Sequence, residues 1–467
     1  MLNDQPRLPS LIESLIPLVG LAVFVGLGYG WFSYRIEVML LSGTILAAML
    51  GWLLGFSWKE MEGGIIDALG TAMPAVFILI AIGALIASWM AAGIIPMFIV
   101  YGLDLMSARF FLLTACVVCS IISMVTGTAW GTVGTVGVAL MGVAQGIGVP
   151  SGAAAGAIVS GAYFGDKMSP FSDTTNLAPI VADSNIVDHI RWMLWTTVPA
   201  WSLGLAVYFV VGLTSEPPVG SDISELQSTL RNVFDFSPVL LLPPVMMIWF
   251  SVKKMPILPG MLATTAVALV IASVLQDRRI EDLFSVVILG DTSTTGKEML
   301  DILLSTGGMN GMMSLVLLIL CAFTFAGVMR RCGFLDRILQ ALLTKVDSTP
   351  GLVTSTVASG VLTALITGSS YLSMIIPGEL FRKAYKRANL AAKNLSRTLE
   401  DSGSVVVPLV PWSAAGTFMA GTLGVASVEY LPWAIMNYMG FIFALILGIT
   451  GIGIAPRIRE DETLPGS

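Results

Sequence analysis

Apolar runs of about 17–25 residues recur from one end of the chain to the other, parted by short polar stretches. Each run is long enough to cross a bilayer as a helix. Two kinds of interruption punctuate them. The first is Thr126-Gly127-Thr128-Ala129-Trp130, matched by Thr367-Gly368-Ser369-Ser370-Tyr371 at an offset of 241. The second is Pro170-Phe171-Ser172, matched at the same offset by Pro411-Trp412-Ser413, with Asn176-Leu177-Ala178 facing Thr417-Phe418-Met419. Ala92-Gly93-Ile94-Ile95 echoes Cys332-Gly333-Phe334-Leu335 with a slip of one. The two polar motifs stand 44 residues apart in both halves without a gap, so the chain reads as an internal repeat.

The pattern predicts an all-α polytopic membrane protein of two inverted repeats. Each has about five transmembrane helices, a re-entrant hairpin and a broken helix. Expected crossings are 13–31, 36–55, 69–91, 153–182 and 191–213, then 238–252, 257–275, 311–329, 397–424 and 433–455. Hairpins fall at about 108–148 and 350–381, and the broken helices are 153–182 and 397–424. The first repeat is 1–215, an extracytoplasmic linker is 216–236, the second repeat is 237–456 and a tail is 457–467. An odd number of crossings per half inverts the second half. With both termini cytoplasmic, Lys253, Lys254, Arg330, Arg331, Arg337, Arg457 and Arg459 fall inside, as the positive-inside rule requires. The loop 276–301, with Arg278 and Arg279 among six acids, falls outside.

Composition sharpens this picture. Of 467 residues, 55% are hydrophobic and 12% charged, roughly half the charged share of soluble domains. Met1–Glu13 lacks a basic start, so no cleavable signal peptide is expected. The basic run Arg382, Lys383, Lys386, Arg387, Lys393 and Arg397 has no interleaved aromatics, which excludes a nucleic-acid reading. Four cysteines (Cys116, Cys119, Cys321, Cys332) and a single histidine, His189, offer no Cys/His metal site. Packing is their expected role. Gly152-x-x-x-Gly156 and Gly161-x-x-x-Gly165 read as close-packing faces.

Candidate chemistry concentrates at Gly165–Ala178, which sets Asp166, Lys167 and Asp173 among Ser169, Ser172, Thr174, Thr175 and Asn176. A charge at bilayer depth costs about 2.5–3.5 kcal/mol and is kept for function. Carboxylates with neutral oxygens suit a small hard cation or a proton. Asp166, Ser169, Asp173 and Asn176 share one helical face, but Pro170 breaks the helix there. The second copy keeps Ser413 and Thr417 and has Ala414 where Asp173 stands, so the site is asymmetric. The bland alternative is a polar loop with Asp and Ser as caps, Asp166 pairing with its neighbour Lys167. Thr126, Gly127, Thr128 and Trp130, with Thr367, Gly368, Ser369 and Ser370, form hairpin tips that serve as gates or as tight packing. Glu400-Asp401 reads as a helix N-terminal cap in preference to a cation-binding pair. No phosphate loop, dinucleotide fingerprint or catalytic triad is present, so an enzyme is not expected.

The stretch Gly165-Asp166-Lys167-Met168-Ser169-Pro170-Phe171-Ser172-Asp173-Thr174-Thr175-Asn176-Leu177-Ala178, with Thr126-Gly127-Thr128 and Trp130-Gly131-Thr132, resembles the NhaC-type Na⁺/H⁺ antiporters of the ion transporter superfamily. That resemblance implies a homodimer in a prokaryotic plasma membrane, exchanging cytoplasmic Na⁺ or Li⁺ for external H⁺ without a cofactor. The same family includes malate/lactate exchangers, so a Na⁺- or H⁺-coupled organic acid or amino-acid antiporter is the alternative. A carboxylate that binds Na⁺ or H⁺, never both, enforces exchange if only the loaded carrier reorients. Asp173 is the expected exchanging group and Asp166 a second carrier. Ser172, Thr174, Thr175, Asn176, Ser413 and Thr417 are the expected neutral ligands, with Na⁺ held at Asp173 and Asn176.

Overall fold

The computed structural model describes residues 6–32, 34–105, 107–214, 223–291, 307–343 and 348–456. Linker residues 216–222, the 292–301 part of the acidic loop and the tail 457–467 lie outside them. Among the described residues the fold is helical, with one isolated bridge between Leu390 and Pro456.

Helix α1 (Leu11–Val23) runs on through wide π turns to Trp31 and is followed by α2 (Ile36–Leu53). A capping box, Ser10 with Glu13, starts α1; Ser57 with Glu60 starts the 34-residue α3 (Trp58–Ala91) in the same way. Next come α4 (Ile94–Leu105), α5 (Phe111–Thr126), α6 (Ala129–Thr132), α7 (Val138–Gly146), α8 (Ser151–Met168), α9 (Asp173–Ala182) and α10 (Ile186–Thr214). The remainder is α11 (Ile223–Val233), α12 (Leu242–Val252), α13 (Ile257–Leu275), α14 (Ile280–Leu289), α15 (Met313–Arg331), α16 (Phe334–Leu343), α17 (Thr349–Thr367), α18 (Leu372–Arg387), α19 (Ala392–Leu399), α20 (Ala414–Leu423), α21 (Ser427–Tyr430) and α22 (Ile435–Thr450).

Among the described residues seven helices are long and apolar enough to cross a membrane, or ten if three bent pairs each count as one. Their outer faces stay apolar: on α13, Met261, Ala268 and Ala272 are buried while Leu262, Val270 and Val274 are exposed. Such a face is stable only against lipid, and the helix satisfies its own backbone there. Two shorter helices, α11 and α14, stand where the pattern predicted loop. Their polar ends mask the apolar positions, Leu230 on α11 and Leu283 and Val286 on α14, that bury against the core.

Close backbone approach builds the interior around α8. A Cβ on Gly161 would strike the Cys116 carbonyl, and one on Gly165 the Ser120 carbonyl, so α5 lies directly against α8. Gly152 and Gly156 admit Glu429 and Trp433 on the far side. Small residues exchange side-chain volume for backbone contact, a common way for helices to associate in lipid. All four cysteines are buried and free.

Candidate ion-binding site

Both interruptions are real breaks, and they share local geometry. Helix α8 ends at Met168 and α9 begins after Ser172, whose hydroxyl accepts the Thr175 N–H at 3.5 Å. In the later half, Ser413 caps α20 by accepting the Gly416 N–H at 2.8 Å. The Thr-Gly tips match too: Gly127 and Gly368 end α5 and α17 in the left-handed region, at φ +71° and +62°. Each tip packs on the break of its own half. A Cβ on Gly127 would meet Phe171, and one on Gly368 would meet Ser413. Ser169 Oγ donates to the Met124 carbonyl at 2.8 Å, and Trp412 Nε1 to the Leu365 carbonyl at 2.8 Å, so the two acceptors stand at matched positions. Trp130 then stacks on Phe418 with centroids 4.4 Å apart, joining the first tip to α20.

The first break gathers most of the expected site. Asp166 is half-buried near the C-terminal end of α8, facing the Ser172 hydroxyl and the Ala129 N–H. Thr175 Oγ1 donates back to the Asp166 and Lys167 carbonyls at 3.2 and 3.1 Å. Asn176 Nδ2 ties the turn by donating to the Pro170 and Ser172 carbonyls at 2.9 and 2.6 Å. Ser172 and Thr174 hydroxyls bond each other at 3.1 Å. Asp173 is exposed in the first turn of α9, where the helix dipole favours a carboxylate. Tyr371, from the second tip, lies within electrostatic range of both Asp173 and Asp166.

Other expected contributors point elsewhere. Ser413 Oγ donates to the Val407 carbonyl at 2.6 Å, and the Thr417 hydroxyl donates to the Ser413 carbonyl, so both turn onto their own break. Thr126 Oγ1 stands 3.5 Å from Thr132 Oγ1, while Thr128 caps α6 by accepting the Gly131 N–H at 3.2 Å. Thr367 Oγ1 donates to the Thr363 carbonyl at 2.7 Å. Ser369 accepts the Leu372 N–H at 3.4 Å, and the Ser370 carbonyl accepts from Ser373 at 2.9 Å. Thr126, Thr128, Thr367 and Ser369 thus spend their hydroxyls on shaping the turns.

Two expectations are corrected. Lys167 does not pair with Asp166; its ammonium bonds the Asp401 carboxylate, and the pair is 1% and 0% exposed. Thr196 Oγ1 adds a bond to the same carboxylate at 3.0 Å. Nor do Glu400 and Asp401 cap a helix start. They sit inside a π turn, Glu400–Ser404, that continues α19 into the core, because the helix begins two turns earlier at Ala392. Such turns widen the backbone and gather at functional positions. The sequence signal was present but misweighted: two acids inside an apolar stretch, in the segment matching the first broken helix. Glu400 accepts from Ser404 at 2.6 Å with one oxygen, while its Oε2 has no hydrogen-bond partner. Asp401 Oδ2, Arg397 Nε and Nη2, and His189 Nε2 are likewise buried without a partner.

No group of three or more His, Cys, Asp and Glu able to hold a metal occurs among the described residues. A small alkali cation does not need one. Carboxylate, hydroxyl and carbonyl oxygens suffice, as the first break supplies.

Helices broken at depth, with polar groups converging where tips and breaks meet, define a polytopic carrier. The "Na+/H+ antiporter family" profile matches residues 161–452. A Na⁺/H⁺ antiporter of Haemophilus influenzae, itself uncharacterized, is 41% identical over 97% of this chain and 98% of its own. The Na⁺/H⁺ antiporter NhaC of Alkalihalophilus pseudofirmus is 36% identical over 88% of this chain and 89% of its own. The malate-2H⁺/Na⁺-lactate antiporter of Bacillus subtilis is 35% identical over 95% and 96%. The chain belongs to the Na⁺/H⁺ antiporter family.

Proposed function

We propose that this protein exchanges Na⁺, or Li⁺, for H⁺ across a prokaryotic plasma membrane by alternating access. The observation that carries the reading is Asp166. It is half-buried among the Ser172 hydroxyl and the Ala129 N–H, where the first tip meets the first break. Exposed Asp173 stands within electrostatic range of it. Asp173 meets ions from solution, and Asp166 takes either the cation or the proton further in. Ser172, Thr174, Thr175 and the Asn176 carbonyl oxygen supply neutral ligands. Because occupancy is exclusive, an empty carrier that does not reorient yields exchange rather than leak.

The shared geometry of the two breaks supports a repeat, and the odd number of crossings per half supports inversion with both termini cytoplasmic. Assembly as a homodimer accompanies this reading. The malate–lactate relative favours a second reading, organic acid exchange on the same scaffold. An organic carboxylate would need a basic partner at depth; Lys167 is already bonded to Asp401, and buried Arg397 donates to the Gly453 carbonyl rather than turning to the first break. Inorganic cation exchange therefore takes precedence.

The test is proton flux in proteoliposomes with an imposed pH gradient and NaCl but no organic solute. Dissipation by Na⁺ or Li⁺ is expected, reduced at least tenfold in Asp166→Asn and in Asp173→Asn. Normal flux in both variants would sink the site. A wild-type response only after malate, lactate or an amino acid is added would establish the second reading.

A further inference from the structure

We propose that Glu400, carried by the second broken helix, is a further ion- and proton-binding residue of the same site. It releases one proton of those exchanged per Na⁺. The inference rests on the Na⁺/H⁺ reading and deepens it.

Glu400 is fully buried, yet it lacks an ion-pair partner among the described residues. Its neighbour Asp401 holds the Lys167 ammonium that would otherwise neutralise it. A buried carboxylate with one free oxygen is costly to keep charged, so it persists where it meets a cation or a proton in the working cycle. What faces that carboxylate is suited to either. The Thr174 hydroxyl at the head of α9 approaches it, Thr174 bonds Ser172 at 3.1 Å, and Ser172 faces Asp166. Hydroxyls donate or accept by rotating, so Ser172 and Thr174, bonded to each other in the N-terminal turn of α9, stand within reach of carboxylates from both halves.

Other groups facing Glu400 are few. Lys167 and Asp166 on α8 and Asp401 in the same turn act on it by charge. Helix α18 meets the turn at Ser373 and Met374, and α17 and α22, which pack on its other sides, contain no charged residue. Arg397, one turn earlier on α19, is buried too, and its Nη1 donates to the Gly453 carbonyl at 2.9 Å, not to Glu400. With Na⁺ between them, Asp166 and Glu400 would both be ionised; without it, each would hold a proton. The step is a displacement: the cation's oxygen contacts form as the two O–H bonds give up their protons to water.

The experiment measures the H⁺:Na⁺ coupling ratio of the full chain in proteoliposomes, from the membrane potential at which Na⁺-driven proton flux vanishes. Glu400→Gln is expected to lower the ratio by one proton while Na⁺ still drives flux. An unchanged ratio overturns the proposal. Should the variant not fold, Ser404→Ala tests the same claim with the carboxylate in place. Losing the donor to Oε1 disfavours the charged form, so the pH midpoint of Na⁺-driven flux moves alkaline by about one unit. A midpoint that stays put overturns the proposal, since a merely structural Glu400 would not set it. If wild type shows no Na⁺-driven flux at all, the exchange reading fails first and takes this inference with it.

Discussion

Lys167 and Asp401 bond each other from α8 and the π turn after α19, both out of contact with solvent. Desolvating two ions is expensive, and removing one partner leaves the other charge stranded. Lys167→Met is therefore expected to cost about 3–5 kcal/mol of stability, read as a drop in unfolding temperature in detergent. Lys167→Met with Asp401→Leu should recover much of that loss. A single variant as stable as wild type would mean that the pair is open to water. The acids Asp166 and Asp173 were legible as a candidate site because they interrupt an apolar stretch. Their difference in exposure was not, since it depends on what packs above each. Asp173 lies open at the head of α9, whereas Asp166 is covered by Ser172 and the first tip.

Helix existence follows from apolar length, capping chemistry and glycine placement, all local properties. The paired Thr-Gly and Pro-aromatic-Ser motifs located both tips and both breaks, because a left-handed glycine and a Ser N-cap each leave a short signature. Helices α11 and α14 escaped notice, being too short and too polar at their ends to stand out from loop. The glycines of α8 make a sharper claim. Gly165→Ala would press a methyl onto the Ser120 carbonyl and the Met124 N–H, at about 1–3 kcal/mol or more for overpacking. Gly70→Ala on the lipid-facing side of α3 meets nothing within 4 Å and should be neutral or stabilising by up to about 1 kcal/mol. Thermal unfolding of the two variants side by side distinguishes them. Equal stability would contradict direct backbone contact between α5 and α8.

The assembled fold also has a sidedness. Phe171 in the first break is half-exposed, with the Lys254 ammonium 5.0 Å from its ring centre. At the other end of α9, Asp183 bonds Lys386 at 2.9 Å, within the basic stretch 382–397. Both ends of this short helix thus meet lysines, one after α12 and one near the end of α18, and the positive-inside rule favours the cytoplasmic side for such basic stretches. On the proposed orientation, with both termini cytoplasmic, the mouth at Asp173 faces inward. Asp173→Cys in otherwise cysteine-free protein should react with a membrane-impermeant thiol reagent in inside-out vesicles and be protected in right-side-out ones. Reaction from the outer face alone would reverse the assigned orientation.

By itself the chain determined a helical membrane protein, the positions of its tips and breaks, and a family whose members carry Na⁺ and H⁺. Those properties are written in contiguous segments, where hydrophobic length, glycine and proline act on their own neighbours. Partner choice among buried charges was decided only by the tertiary structure. Lys167 and Asp401 stand 234 residues apart in the chain, and Thr174 approaches Glu400 across a comparable span. Nothing local distinguishes a lysine bonded to its neighbour from one bonded across the core. Packing α8 against the later broken helix makes that choice, and it leaves Glu400 without an ion-pair partner among the described residues.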